Sequence, residues 1–340
     1  IDERGPIVDP SILPAKDTGR ERPIVLETGI KPLDLFAPMR RGSTIGQELC
    51  LHVGAMLLHG QIAHNLVTRD NARVVFILAP EGSLYLGSSE FWYGTGNSFR
   101  NGVTMVAVNP NDPEERLRAT VRKGFEVANA LRSAGYDVLV QLQGRLYPYA
   151  DLAELNRGTD DHGSITTKIQ GNPPNGLVDI DEAFDSEIHM SPHLASQGLY
   201  PAIDWEYSRS SLLEDGTLSQ SHVDTVREVQ RRGYEYTHFN LGAARKKHGE
   251  SFMYMSDGGV TVQRMRRTRR LGLFLTQSYH GTEMWTGKPG VTVPLSHTVE
   301  TCRDILDGKY DEVPERAFYA MGRMEGVLER SRIEDVKKED

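Results

Sequence analysis

Three consecutive stretches, Val103-Thr-Met-Val-Ala-Val108, Pro113–Ala134 and Asp137-Val-Leu-Val-Gln-Leu142, decide the fold class. The outer two are short, β-branched, apolar runs bounded by turn residues, the pattern of buried strands. Between them Leu117, Val121, Phe125, Val127 and Leu131 recur at helical spacing, with Glu114 and Glu115 in the first turn, where the helix dipole favours acids. Strand, crossover helix and strand make a parallel α/β sheet. Upstream, Arg73-Val-Val-Phe-Ile-Leu-Ala79 adds a strand of the same kind, and residues 1–30, rich in Pro, Gly and charge, read as an extended lead-in. Downstream, residues 151–176 are polar and turn-rich and read as loop. Beyond Glu214 the strand signals fade: 221–247, 260–280 and 296–306 read as helices, and Pro314–Arg330 as a last one. The expected division is a lead-in (1–30), an α/β domain (31–215), a helical domain (216–332) and a charged tail (333–340), without internal repeats.

Composition narrows the classes. The 340 residues carry 39 Lys+Arg against 47 Asp+Glu, a net charge of −8, and 38% apolar residues besides 33 Gly. That is ordinary globular composition, and the balance argues against a whole-surface nucleic-acid binder. The longest apolar run, Val74–Ala79, is far shorter than the roughly 20 residues of a membrane span. No signal peptide is recognised, and a start at Ile1 rather than Met suggests a preceding segment. Two cysteines, Cys50 and Cys302, are too few for a disulfide framework and favour a reducing compartment.

Several stretches resemble the beta subunit of F-type ATP synthase, and more loosely its alpha subunit. Ile1-Asp-Glu-Arg-Gly-Pro-Ile7 is similar to the link leaving that family's N-terminal barrel. Leu26-Glu-Thr-Gly-Ile-Lys-Pro-Leu-Asp-Leu-Phe-Ala-Pro38 and Arg40-Arg-Gly-Ser-Thr-Ile-Gly46 resemble the approach to its phosphate loop. Gly198-Leu-Tyr-Pro-Ala-Ile-Asp204, Phe274-Leu-Thr-Gln277, Trp285-Thr-Gly287, Val293-Pro-Leu295, Ile305-Leu-Asp-Gly-Lys-Tyr-Asp311 and Pro314-Glu-Arg-Ala-Phe-Tyr319 follow the rest of the family in order. The resemblance implies a P-loop NTPase (RecA-like) core with a mostly parallel sheet and a C-terminal helical domain, in a ring around a rotating stalk. The family's N-terminal β-barrel is absent from this sequence.

The catalytic positions have changed. A phosphate loop needs glycines for close backbone approach, a Lys for the phosphates and a Ser/Thr hydroxyl for Mg²⁺. Here Gln47-Glu-Leu-Cys-Leu-His-Val-Gly-Ala-Met56 keeps only Gly54, with Ala55 at the Lys position, Met56 at the Thr position and Leu49–His52 replacing the glycine-rich turn. No Lys occurs in 44–72, and Glu48 adds negative charge. Gln143 stands where the family has a metal-holding carboxylate, and Asp137 lies at the other end of that strand. Glu81 matches the water-orienting glutamate, but Leu84 replaces the arginine three residues on. Arg209 resembles the arginine finger of an alpha subunit, two residues early, with Ser211 at the matching place. Tyr200, Tyr279 and Trp285 fall where the family surrounds adenine, which makes them, with Gly54, a vestigial adenine pocket; the alternative is that they pack domains together.

Other constellations are weaker. His189 and His193, four apart with Pro192 between them, make a poor zinc pair. His52, His59 and His64 read as packing or surface residues, and Cys50 as a buried thiol. Residues 227–270 hold eleven Lys/Arg against four acids, densest at Arg264, Arg266, Arg267, Arg269 and Arg270. These either make ion pairs or present an interaction surface for an acidic partner or RNA.

The leading expectation is a non-catalytic, beta-like subunit with a structural or assembly role in an ATP-synthase-like complex. It has protein subunits as partners, no cofactor, no metal, no membrane insertion and no nucleic acid. It would be the soluble part of a membrane-associated complex, on the mitochondrial matrix side or in the bacterial cytoplasm. The rivals are a catalytic ATP synthase beta subunit, binding ATP or ADP with Mg²⁺ for proton-coupled synthesis, and a nucleic-acid or acidic-partner module using 264–270.

Overall fold

The computed structural model describes residues 23–48, 53–79, 102–150, 163–171, 184–245 and 260–339. In chain order its elements are β1 (Val25–Leu26), α1 (Lys31–Phe36), β2 (Met39–Arg40), β3 (Thr44–Gln47), α2 (Ala55–Asp70), β4 (Arg73–Leu78), β5 (Val103–Ala107), α3 (Glu114–Ser133), β6 (Asp137–Gln143), β7 (Ser164–Gln170), β8 (Ser186–Ile188), α4 (Pro192–Ser196) and β9 (Arg209–Ser210). The helical part follows as α5 (Gln220–Arg245), α6 (Val260–Phe274), α7 (Glu283–Thr286), α8 (Leu295–Asp307) and α9 (Met324–Glu339). This is an α/β core with a C-terminal helical region. No helix among the described residues is long and apolar enough to cross a membrane.

The main sheet has seven strands in the order β5-β4-β6-β7-β3-β8-β9. All pairings are parallel except the antiparallel edge pair β8–β9. Helices cover both faces. On one, α2 packs Leu58, Ile62 and Leu66 on Ile45, Val74, Phe76 and Leu139. On the other, α3 packs Leu117, Val121, Phe125 and Leu131 on Val75, Ile77, Val138 and Val140. Gly124 permits this closeness, because a Cβ there would lie 2.3 Å from Ile77 Cδ1. α3 ends at Gly135, whose φ of +90° suits glycine.

Five sequence expectations are corrected. The loop expected over 151–176 contains β7, a central strand between β6 and β3. Its polar residues are engaged inside: Ser164 Oγ donates to Asp137 (2.8 Å) and Gly42 N donates to Thr166 Oγ1 (2.9 Å). The lead-in contributes a strand, Val25–Leu26, paired with Met39–Arg40. The helix expected over 260–280 stops at Phe274. The helix expected over Pro314–Arg330 is a 3-10 turn at Glu315–Phe318, a break at left-handed Ala320 (φ +54°), and then α9. Residues 333–339, expected as a charged tail, continue α9.

One buried lysine accounts for the breaks after Phe274 and at Ala320. Lys31 is fully buried, and its ammonium donates to the carbonyls of Phe274, Thr276 (2.9 Å) and Met321 (2.6 Å). Those carbonyls are therefore turned towards Lys31 rather than continued in helical ladders. Gln277 closes the same seam, accepting from Lys31 N–H (2.7 Å) and donating to the Gly29 (3.1 Å) and Val291 (3.0 Å) carbonyls. Asp34, three residues on, takes Thr28 N–H (2.8 Å), Thr28 O–H (2.6 Å) and Gly29 N–H (2.7 Å), which fixes the turn into α1. Leu35 and Phe36 enter the core of the helical region with Val226, Leu271, Phe274 and Phe318. Trp205 stacks on Phe36 (6.1 Å between centroids) and lies against Gly233 of α5 and Gly272 of α6, where added Cβ atoms would approach the indole to 2.9 and 3.3 Å.

Truncation by Lys31→Ala leaves these buried carbonyls bare and opens a cavity, and is expected to lower the unfolding free energy by about 3 kcal/mol. Urea unfolding checks this; a loss below about 1 kcal/mol would show that the carbonyls find other donors.

Candidate functional site

The C-terminal ends of the parallel strands gather the candidate residues, the usual position of ligand sites in open α/β sheets. β3 runs to Gln47, and Glu48 N–H continues onto the Ile188 carbonyl (3.0 Å). Leu49–His52, including Cys50, lie outside the described residues, as do Glu81 and Leu84. From Val53 the path is clear. Gly54, at φ +77°, turns the backbone into α2, and Leu58 N–H closes the first helical bond on its carbonyl (3.0 Å). The Tyr200 ring covers this turn: a Cβ on Gly54 would meet it at 3.2 Å. The first helical side chains are the buried methyl of Ala55 and the exposed thioether of Met56. Neither neutralises phosphate nor holds a metal.

The other family-equivalent positions are engaged within the chain. Gln143 Oε1 accepts Ala79 N–H (2.6 Å), so the amide ties the ends of β6 and β4. Asp137, at the opposite end of β6, pairs with Arg41 (2.5 Å) and Ser164, both its side chain and that of Arg41 being buried. Arg209 lies on edge strand β9 with its guanidinium on Glu187 of β8 (2.6 Å), a carboxylate only 7% exposed. His189 stands between two acids, Nδ1 at 3.1 Å from Glu48 and Nε2 at 3.5 Å from Glu187. Glu48, His189, Glu187 and Arg209 thus form one charged chain along the β3–β8–β9 edge. Ser211 begins a 3-10 turn, its N–H on the Asp185 carbonyl (2.8 Å).

The three aromatic positions have different surroundings. Tyr279 is inside the core beside Ala55 and Ile62, and burial, with Tyr200 adding to it, raises its phenol above the ordinary range. Tyr200 is half-buried on Gly54, and Trp285, on the single-turn helix α7, is 56% exposed. His189 and His193 do not share a helix face. His189 precedes α4, whereas His193 lies within it and meets Gln197 (2.8 Å). Among the described residues no group of three His, Cys, Asp or Glu could hold a metal ion. His64 stacks on His280 (4.2 Å), joining α2 to the helical region, and Cys302 is a buried thiol pushed up to about 12 by burial.

The arginine run of α6 divides in two. Arg267 clamps Asp311 (2.6 Å) and the Leu306 carbonyl (3.0 Å), and Arg270, buried, caps the carbonyls of Asp311 (2.6 Å) and Val313 (3.1 Å). Asp311 is correspondingly held below the usual carboxylate range, first by its hydrogen bonds from Arg267. Arg269 pairs with Glu315 (3.2 Å) at the surface, and Arg264 and Arg266 are exposed. Two of the five cations are therefore internal braces.

One cluster escaped the sequence reading. Lys168, fully buried on β7, meets His59 of α2 and Gln47 of β3. Period-two alternation along 164–170 is the signal that carries it: Ile165 and Ile169 face α3, which leaves Lys168 on the α2 side.

No family model matches this chain. Among solved structures it is similar to an ATPase from the type III secretion system of pathogenic bacteria. The TM-score is 0.63 at 16% identity, over 86% of this chain and 90% of the other. The two chains share a fold.

The division of the arginine run predicts unequal costs. Removing the half-buried clamp by Arg267→Ala should cost about 1–3 kcal/mol. Arg264→Ala and Arg266→Ala should stay within about 0.5 kcal/mol. Thermal or urea unfolding of the three variants checks this; equal effects would contradict the division.

Proposed function

We propose that this chain is a non-hydrolysing member of the F1-like ATPase fold, retained as a structural or assembly subunit of an ATP-synthase-like or related complex. The observation that carries the reading is the first turn of α2. Gly54 still makes the turn, but Ala55 and Met56 follow it where a nucleotide site needs an ammonium and a hydroxyl.

Three further features support it. Gln143 is spent on a backbone N–H and carries no charge for a divalent ion. Arg209 is held by Glu187 of its own chain rather than offered to a neighbour's phosphate. Glu48 brings a carboxylate to the edge where phosphate charge would have to be met. An arginine finger or metal accelerates phosphoryl transfer only when it reaches the transferring group. The described residues provide neither at this place, and no resident cofactor is proposed. The partners proposed are other chains of the complex, met through faces that ATPase-fold subunits present to neighbours.

Titrating the purified chain and its native complex with Mg-ATP and Mg-ADP in a calorimeter, alongside a turnover assay, tests this. The chain alone is expected to give neither heat at micromolar concentrations nor hydrolysis. Micromolar binding by the isolated chain, or turnover that disappears in Glu81→Gln, would overturn the reading.

A further inference from the structure

A group of interior polar side chains that the site does not use lies beneath the first turns of α2. The strand register places Phe76 of β4, Gln141 of β6, Lys168 of β7 and Ile45 of β3 in one row across the sheet. Residues in such a row point to the same face. Phe76 and Ile45 belong to the apolar core under α2, together with Leu58 and Ile62. Lys168 and Gln141 therefore project towards that helix. Lys168 is 0% exposed, and its Nζ reaches Nε2 of His59 (2.9 Å) and Oε1 of Gln47. His59 Nε2 is also 3.0 Å from Gln47 Oε1, so three polar groups from three elements close a triangle. Gln141 Nε2 donates to the His59 carbonyl (3.2 Å) and ties the same turn to β6.

Among the described residues no carboxylate joins the triangle. Among the described residues, Lys168 and His59 are the titratable groups meeting here; Gln47 and Gln141 from β3 and β6 are neutral. The acids nearest in sequence are engaged elsewhere, Glu48 by His189 (3.1 Å) and Asp137, at the far end of β6, by Arg41 (2.5 Å). An ammonium buried without an opposite charge is costly. Burial pulls Lys168 down to about 7, and burial together with Lys168 holds His59 well below its ordinary range.

The two protonation states require different tautomers of His59. A neutral amine has one lone pair and two N–H groups. His59 Nε2–H then donates to Nζ and Nζ donates to Gln47 Oε1, with one N–H left over. An ammonium has three donors and no lone pair, so it forces His59 to offer a lone pair at Nε2 and also leaves one N–H over, now on a buried charge. Gln47 Nε2 and Gln141 Oε1 are both buried with no hydrogen-bond partner, so the cluster is not fully matched in either state.

We propose that Lys168, His59 and Gln47 form a proton-operated catch holding α2 on the sheet, closed when the Lys168 amine is neutral and loosened when it takes up a proton. The helix it holds begins at Ala55, so the catch sets how firmly the floor of the candidate site is seated. The inference is independent of whether that site binds nucleotide.

The sign follows from linkage. Lys168 titrates near 7 when packed and at 10.5 when exposed, so between these values the opened state binds more protons and rising pH favours the closed state. Below about 7 Lys168 adds no further slope. As pH falls below 6.5, His59 acts in the same direction, because its packed form resists the proton that its exposed form accepts.

Hydrogen exchange of the intact chain, corrected for the intrinsic pH dependence of amide exchange, tests this at the α2 amides Leu58–Leu66. Protection should rise about tenfold per pH unit from 7 to 8.5. In Lys168→Met it should be higher at pH 6.5 and flat over the same range. Lys31 is pulled down by burial in the same way, so global melting would mix the two lysines, whereas the local amides separate them. Lys168→Gln, which keeps a donor for Gln47 and cannot titrate, should match Lys168→Met and guards against a misfolded variant. A wild-type profile without slope, or the same slope in both variants, would overturn the proposal.

Discussion

A single buried lysine organises the junction on which both halves depend. Lys31 surrenders its water to the carbonyls of Phe274, Thr276 and Met321, and its stem lies by the Phe274 ring, 4.3 Å from Nζ to centroid. Burying a cation is tolerable only where the surroundings supply acceptors in compensation. Carbonyls can do so only where the backbone is not already laddered. The consequence propagates: α6 must end at Phe274, the 319–323 segment must leave helical geometry, and Gln277 must span what remains. With that seam set, α1 can send Leu33 into the sheet's core and Leu35 and Phe36 into the helical one. The two cores share α1 rather than merely touching.

How much of this was legible depends on the residue types. The strands at 73–78, 103–107 and 137–143 and the helix at 114–133 announced themselves, because apolar side chains facing both packed layers leave an unmistakable run. β7 did not. Its sequence, Ser-Ile-Thr-Thr-Lys-Ile-Gln, is as central as any strand, but Ser164, Thr166, Thr167 and Lys168 are buried polar residues, with partners of Ser164 and Lys168 far away in sequence. Alternation assigns Lys168 to a face but says nothing of its partners, which lie over a hundred residues upstream. The displaced last helix has the same origin, since Pro314–Arg330 is apolar at helical spacing and only Lys31, from the other end of the chain, claims the Met321 carbonyl.

The candidate site shows the converse. Ala55, Met56 and Gln143 are informative as bare letters, since a missing charge needs no geometry to be missed. What the letters did not reveal is what replaced it: Gln143 tying two strands, Arg209 bound to Glu187, Tyr279 sunk into the core. Charge density misled in the arginine run for a related reason. Composition counts cations, whereas availability depends on partners, and Arg267 and Arg270 are committed to the 306–313 turn.

The indole of Trp205 fills a notch that exists because Gly233 and Gly272 have no Cβ. Any side chain gained at either glycine would need a smaller ring opposite, and a smaller ring would open a void between α5 and α6 for a bulkier residue to fill. In descendants of this sequence, positions 205, 233 and 272 should therefore drift as a correlated trio, although they are scattered along the chain.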